Sequence, residues 1–338
     1  MTGLACPKVS VCIPVYNGEA YIAESIESVL GQTYEDFRLI ICDNCSTDNT
    51  PDVVRGFRDS RITYLRNSKN LGLVGNANRC LTLADGEYVC ILHHDDAILP
   101  KNLERKVHVL DKNPEVGFVH SNVFVTDAEG QIVSEWNEDS RRDYIEDGRK
   151  VFHRYITRMH LGALIFIGAV LARRACYDRL GGYRPELHYA DDSEMWMRMS
   201  LFYDVACIGT PLVKWRQHST NKSIELGLGV QWLEEHFLAT RIIFQEYQER
   251  IPGWKNLKKE VDEGFIREAL RKGLRACGND DFETAGKYLR WARKVSRGFS
   301  MKKDYWKLNL RLAVGPKGDR LCRSMKGKLR EAYGKLHG

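Results

Sequence analysis

The hydrophobic positions of this chain keep two rhythms. Val9 to Val15 (VSVCIPV) is a short apolar run of the length expected of a buried strand. Tyr21 to Leu30 instead repeats every three or four residues, so Ile22, Ile26, Val29 and Leu30 share one face of a helix. The two rhythms then recur. Phe37 to Cys42, Ile62 to Arg66 and Glu87 to Leu92 read as further strands. Helices are predicted to start near Pro51, where an Asp or Thr of the polar loop 43–51 is placed as a cap, and to cover Gly75 to Ala84. Strand and helix in alternation predict a mostly parallel α/β sheet flanked by helices. Such sheets bind ligands at the carboxyl ends of their strands, and Tyr16-Asn17, Asp43-Asn44 and Asp95-Asp96 fall at three of those ends.

The pattern then loosens. A helix over Pro100 to Asn113 and a strand over Val116 to Thr126 precede DAEG, a hairpin-type turn into Gln131 to Trp136. Residues 141–160 read as a polar amphipathic helix and 161–173 as a buried strand. RACYDRLGGYRPEL predicts a short helix with a glycine turn, Asp191 to Leu201 a helix and Val205 to Ile208 a strand, after which Leu212 to Trp215 leads into RQHSTNKS. Beyond about residue 225 the pattern is helix upon helix, which divides the chain into an α/β domain, 1–224, and an α-helical region, 225–338. Residues 262–296 resemble one helix-turn-helix of the tetratricopeptide kind without a second copy, so they are read as a packed helical hairpin.

Composition changes this picture in one respect. With 43% hydrophobic and 28% charged residues over 338 positions, the chain is an ordinary globular one. Its formal charge of +6 is unevenly spread: residues 231–338 carry 25 basic and 14 acidic side chains, about +11, which leaves about −5 for the remainder. A basic half is either a solvated helical surface or a face for an anionic partner, and residues 297–338, with Trp306 and several leucines among the lysines and arginines, suit an anionic membrane surface. No nucleic-acid motif accompanies the charge. The ten cysteines are dispersed, and the one close pair, Cys42 and Cys45, lacks two partners for a zinc site, so reduced thiols of a cytoplasmic protein are expected. The longest apolar run, Leu161 to Ala172, is too short to cross a bilayer, and the N-terminus has no apolar stretch of signal-peptide length.

An Asp pair before a helix can simply cap it, so Asp95-Asp96 alone carries little. Its context carries more. Pro14-Val15-Tyr16-Asn17 with Glu19 follows the first strand, Asp43-Asn44-Cys45-Ser46-Thr47-Asp48 the second, and Asn70-Leu71-Gly72, Asn78, Gly86-Glu87-Tyr88 and HHDDAILP come next. In order and spacing these blocks resemble the inverting glycosyltransferase family 2, over roughly residues 8–222. The resemblance implies a GT-A, Rossmann-like fold and transfer of a sugar from a nucleotide diphosphate, by default a UDP-sugar. It implies that Pro14, Val15, Tyr16, Asn17, Glu19, Asp43, Asn44, Asn70, Gly72 and Asn78 line the base and ribose pocket. Asp95 lies near the ribose or diphosphate, and Asp96 is the principal ligand of Mn2+ or Mg2+. Asp43 as an Asx turn and Asn78 as a structural hydrogen bond are the alternatives. Many relatives have Asp at the position of His93 and Arg at that of Ala77; His93 and His94 can pack, bond to phosphate or bind metal.

Asp191-Asp192 matches the family's second acidic motif. There Asp192 would deprotonate the acceptor hydroxyl and Asp191 would orient it or bind the acceptor, while helix capping by both acids is the plain alternative. Arg216-Gln217-His218 resembles the family's R-x-H element, which implies a diphosphate contact for Arg216 and a metal ligand in His218. Glu194 and Arg198, four apart, are expected to pair on the helix surface, and Trp196 to lie in the core. The expected acceptor is a glycan or lipid-linked glycan in cell-surface polysaccharide synthesis, met at the inner face of the membrane. The rival is a catalytically silent scaffold of the same fold.

Overall fold

A computed structural model describes residues 6–136, 142–162, 164–219, 229–295 and 304–320. The alternation predicted for the first hundred residues is present: β1 (Val9–Val15), α1 (Ile22–Leu30), β2 (Phe37–Asp43), α2 (Thr50–Gly56), β3 (Ile62–Arg66), α3 (Gly72–Leu83) and β4 (Tyr88–Ile91). Then come β5 (Ala97–Ile98), α4 (Asn102–Lys112), β6 (Val116–Thr126) and β7 (Ile132–Trp136), the last two joined by the expected turn with Gly130 at φ +82°. The sheet continues through β8 (Tyr144–Glu146), β9 (Val170–Arg173) and β10 (Asp204–Arg216), among which lie α5 (Gly148–Arg158), α6 (Arg174–Leu180) and α7 (Asp191–Ser200).

The strand order is β3-β2-β1-β4-β9-β6-β10-β5, with β7 on β6 and β8 on β10. β1 to β4 are parallel; β9 runs antiparallel to both β4 and β6, and β10 is parallel to β6. The carboxyl ends of β1 to β4, β6 and β10 therefore share one side of the sheet. Both sheet faces are covered. Val9, Val11, Ile13 and Val15 pack with α1 and α4, while Cys12 and Ile40 face α3, α5 and α7.

Three predicted elements differ. The stretch 141–160 contains a three-residue strand before a shorter helix, α5, which Asp147 caps by accepting from Arg149 N at 2.8 Å. Only Val170–Arg173 of the predicted 161–173 strand pairs in the sheet; before it the chain makes 3-10 turns at Met159–Leu161 and Ile167–Ala169. Ile165 and Ile167 are buried in the core without pairing in the sheet, whereas Leu161 is exposed. The predicted strand 205–208 is the first part of a longer one, β10, which runs on to Arg216 past a bulge between Ile208 and Val213.

The helices α8 (Val230–Tyr247), α9 (Trp254–Gly278) and α10 (Phe282–Val295) follow, and α9 and α10 form the expected hairpin around Asp280 at φ +62°. Leu233, Ile243, Phe265 and Trp291 belong to the same buried cluster as Ile91, Phe118 and Trp196 of the α/β half. The expected division at 224 and 225 lies outside the described residues. A further helix, α11, covers 304–320 and buries Leu308 against α9 and α10, whereas Trp306 and Leu310 stay 61% and 66% exposed. None of the described helices is long and apolar enough to cross a membrane.

Candidate active site

The loop after β1 and the loop after β2 are built as one unit. Asn17, at φ +53°, accepts from Thr47 N at 2.8 Å and donates its own N–H to Ser46 Oγ at 3.0 Å. Glu19 accepts from Asn49 N and donates its N–H to Asp48. Asp43 is fully buried; its carboxylate accepts from Ser46 N at 2.8 Å and from the Tyr64 hydroxyl at 2.7 Å, with Arg66 at 3.5 Å. Asn44 ties in the third loop: it donates to Asn70 Oδ1 and Gly72 O and accepts from Leu71 N. Gly72 has φ +76°, which a side chain would strain. Pro14 and Val15 are buried in β1, leaving Tyr16, 39% exposed, as the ring at the rim.

Asn78 sits elsewhere. It donates to Tyr183 O and accepts from Tyr183 N, both at 2.8 Å, and so clamps α3 to the segment that leads into α7. The structure thus joins it to the second acid site and not to the three loops. The neighbouring Gly182 has no room for a Cβ, which would come 2.3 Å from Asn78 Oδ1.

After β4 the chain turns sharply, Asp96 N donating to His93 O. His94 packs on Gly18, where an added Cβ would meet its ring at 2.5 Å. Burial lowers the proton affinity of both His93 and His94. Asp95 Oδ2 lies 3.0 Å from His218 Nε2, and the His218 ring stacks on Tyr21. Burial works against the Asp95 charge, yet His94, His93 and the hydrogen bond to His218 hold its carboxyl below the ordinary value. Asp96 is only 2% exposed; its Oδ1 accepts from Arg216 N at 3.0 Å, while its Oδ2 is buried without a hydrogen-bond donor. Burial and then the charge of Asp95 push the Asp96 carboxyl well up. A buried carboxylate oxygen beside a second carboxylate is costly unless a cation lies against it. His93 Nδ1 stands 3.9 Å from that oxygen, and one ligand atom each from His93, Asp95 and Asp96 lies within 4.8 Å of the others. This donor set fits a divalent cation.

Arg216 is buried beneath the acids. Its guanidinium bonds to Glu24, to Asp95 O at 3.0 Å and to Ala128 O at 2.9 Å, and it lies over the Tyr21 ring. The diphosphate contact expected of it is thus set against three protein partners already in place.

The second acid site begins α7, whose first turn lies at the same side of the sheet because the helix descends into the start of β10. Asp191 is buried and Asp192 half-buried. Burial drives both carboxyls up, Asp191 to about 8 with further repulsion from Asp192, and Asp192 to about 6 against a hydrogen bond from Ser193 N at 2.5 Å. Glu194 and Arg198 do pair, at 2.8 Å, but in the interior and not on the surface. Arg198 also donates to Leu180 O and Gly182 O, which fixes the glycine turn, and Trp196 is in the core as expected. The two sites meet through the misread stretch: Tyr155 Oη bonds Ser193 Oγ at 3.3 Å and the backbone N–H groups of Leu164 and Ile165, and Phe166 then sets its ring edge against His93. Among these residues, the Tyr155 hydroxyl and Phe166 were not singled out in the sequence, since nothing local marks them.

A mixed sheet of this order, with loop sites at the carboxyl ends of its strands and helices on both faces, defines a GT-A-like Rossmann fold. The chain belongs to glycosyl transferase family 2, whose family pattern matches residues 10–179. It is 29% identical over 196 residues to the uncharacterized glycosyltransferase MJ1057 of Methanocaldococcus jannaschii, covering 57% of this chain and 64% of that one. It is 40% identical over 114 residues, 34% of this chain and 45% of the relative, to the Escherichia coli UDP-Glc:alpha-D-GlcNAc-diphosphoundecaprenol beta-1,3-glucosyltransferase WfgD. The matches thus span less than two thirds of these relatives' own lengths. In fold it is similar to S. aureus TarS 1-349 in complex with UDP-GlcNAc, with TM-score 0.64, 17% identity and coverage of 94% and 92%. It also resembles the Pyrobaculum calidifontis mannosyltransferase PcManGT in complex with GDP-Man and Mn2+, with TM-score 0.55, 19% identity and coverage of 93% and 88%.

Proposed function

We propose that this chain transfers a sugar, with inversion, from a UDP-sugar to a hydroxyl of a glycan or lipid-linked glycan. The observation that carries the reading is the pair of unlike acid sites on one side of the sheet. One, at Asp95-Asp96, has an open buried carboxylate oxygen; the other, at Asp191-Asp192, has carboxyls whose proton affinity is raised toward neutrality. Asp43, Asn44 and the loop at 14–19 would hold the base and ribose, with Asn70 and Gly72 shaping the same pocket. Mn2+ or Mg2+ at Asp96, Asp95 and an adjacent histidine would supply neutralising charge for the departing diphosphate.

Asp192 is the base. Held near 6, it is ionised at neutral pH yet basic enough to take the proton of an acceptor hydroxyl. The acceptor oxygen bonds to the anomeric carbon as the bond to the diphosphate breaks on the opposite side. Asp191, nearly neutral beside it, can donate a hydrogen bond to the acceptor. The UDP donor and the lipid-linked acceptor are supported by the relative that uses UDP-Glc and a diphosphoundecaprenol acceptor. The exposed Trp306 and Leu310 of α11, one turn apart with Lys307 between them, supply a face for anionic lipid near such an acceptor. The test is turnover of UDP-sugars with and without Mn2+ or Mg2+ in wild type, Asp96→Ala and Asp192→Asn. Equal, metal-independent background in all three would remove the reading.

A further inference from the structure

Two histidines stand on different acids of this site, His93 from the loop that carries Asp95 and Asp96 and His218 from the segment after β10. His218 engages Asp95 Oδ2 at 3.0 Å and is stacked on Tyr21. His93 instead points Nδ1 toward Asp96 Oδ2, at 3.9 Å, and this is the carboxylate oxygen that is buried and has no hydrogen-bond donor. Two ligand atoms bound to one ion at about 2.1 Å each stand between about 3 Å and 4.2 Å apart. At 3.9 Å both can therefore reach one cation without a backbone movement. The Phe166 ring packs perpendicular to the imidazole, with the two ring centroids 6.3 Å apart.

We propose that His93 gives this cation site a nitrogen ligand, and that the site thereby selects Mn2+ or another first-row transition ion over Mg2+. The inference rests on the metal-dependent reading above and specifies it. Imidazole suits transition ions, whereas carboxylates and water alone suit Mg2+. An Asp at position 93 would leave an all-oxygen site; His93 changes the chemistry of the donor set without changing the loop.

The experiment is pulsed electron paramagnetic resonance on the full chain loaded with Mn2+, with and without UDP, for wild type, His93→Asn and His218→Asn. Imidazole 14N modulation is expected in wild type, lost in His93→Asn and retained in His218→Asn. In competition, His93→Asp is expected to lower the Mg2+ needed to displace Mn2+ on the order of tenfold. Bound Mn2+ without nitrogen modulation, or modulation lost only in His218→Asn, overturns the assignment while leaving a metal-dependent enzyme intact. Failure of Mn2+ to bind in either condition overturns the assignment and the metal-dependent reading together.

Discussion

Asp191 and Asp192 differ by one position and by their readiness to react. Because Asp192 must be ionised to accept a proton, kcat/KM should rise with pH through about 6 and fall about tenfold per unit below it. A pH profile on a saturable acceptor checks this, and a profile flat from 5 to 8 speaks against Asp192 as the base. Asp192→Asn should lower turnover roughly 10²- to 10⁴-fold with little change in donor-induced thermal shift. Asp191 bears more strongly on stability, because its shift is the larger of the two. Its folded-state affinity for the proton is raised from 3.8 to about 8, so the folded state is favoured below about 4 and loses stability as pH rises toward 8. Asp191→Asn lacks that loss. Its Tm should therefore exceed that of the wild type by a margin that grows between pH 4 and 8 to a few degrees, and calorimetry across that range is the measurement.

At the scale of elements, the clamp between α3 and the segment before α7 sets how well the second site is placed. Asn78→Ala leaves the N–H and C=O of Tyr183 without partners, at a cost of about 1–3 kcal/mol for each buried group. Chemical denaturation should show it, with activity falling further than donor binding, because the donor loops do not depend on Asn78. Most of these elements were legible in the sequence because their reasons are local. β1, β3 and β6 match their apolar runs residue for residue, and Tyr16-Asn17, Asp43-Asn44 and Asp95-Asp96 fall at or just past the ends of β1, β2 and β4 as read. The stretch 161–169 was misread for an equally physical reason. A buried apolar run has no period of its own, and Leu164 to Ile167 are apolar because they pack in or against the core, not because they pair with a strand. The interior position of Glu194 and Arg198 was hidden likewise, since spacing of four says that they pair but not what covers them.

For the whole molecule, the basic helices are part of the catalytic half's interior. Leu233, Phe265 and Trp291 continue the core that contains Phe118 and Trp196. A chain ending before α8 should expose that surface, lose cooperative unfolding and aggregate, whereas the full chain should melt in one transition; light scattering during a thermal ramp separates the two. Arg216 has a consequence in time. It fixes the loop of Asp95 and Asp96 from 120 residues downstream and bonds back to Glu24, 192 residues earlier. During synthesis β1 to β4 can pair as they leave the ribosome, but their acid loop has no anchor until β10 has emerged. The first half of the sheet, although encoded first, is thus completed late, and nascent chains halted before residue 216 would carry a paired sheet whose Asp95-Asp96 loop is not yet fixed.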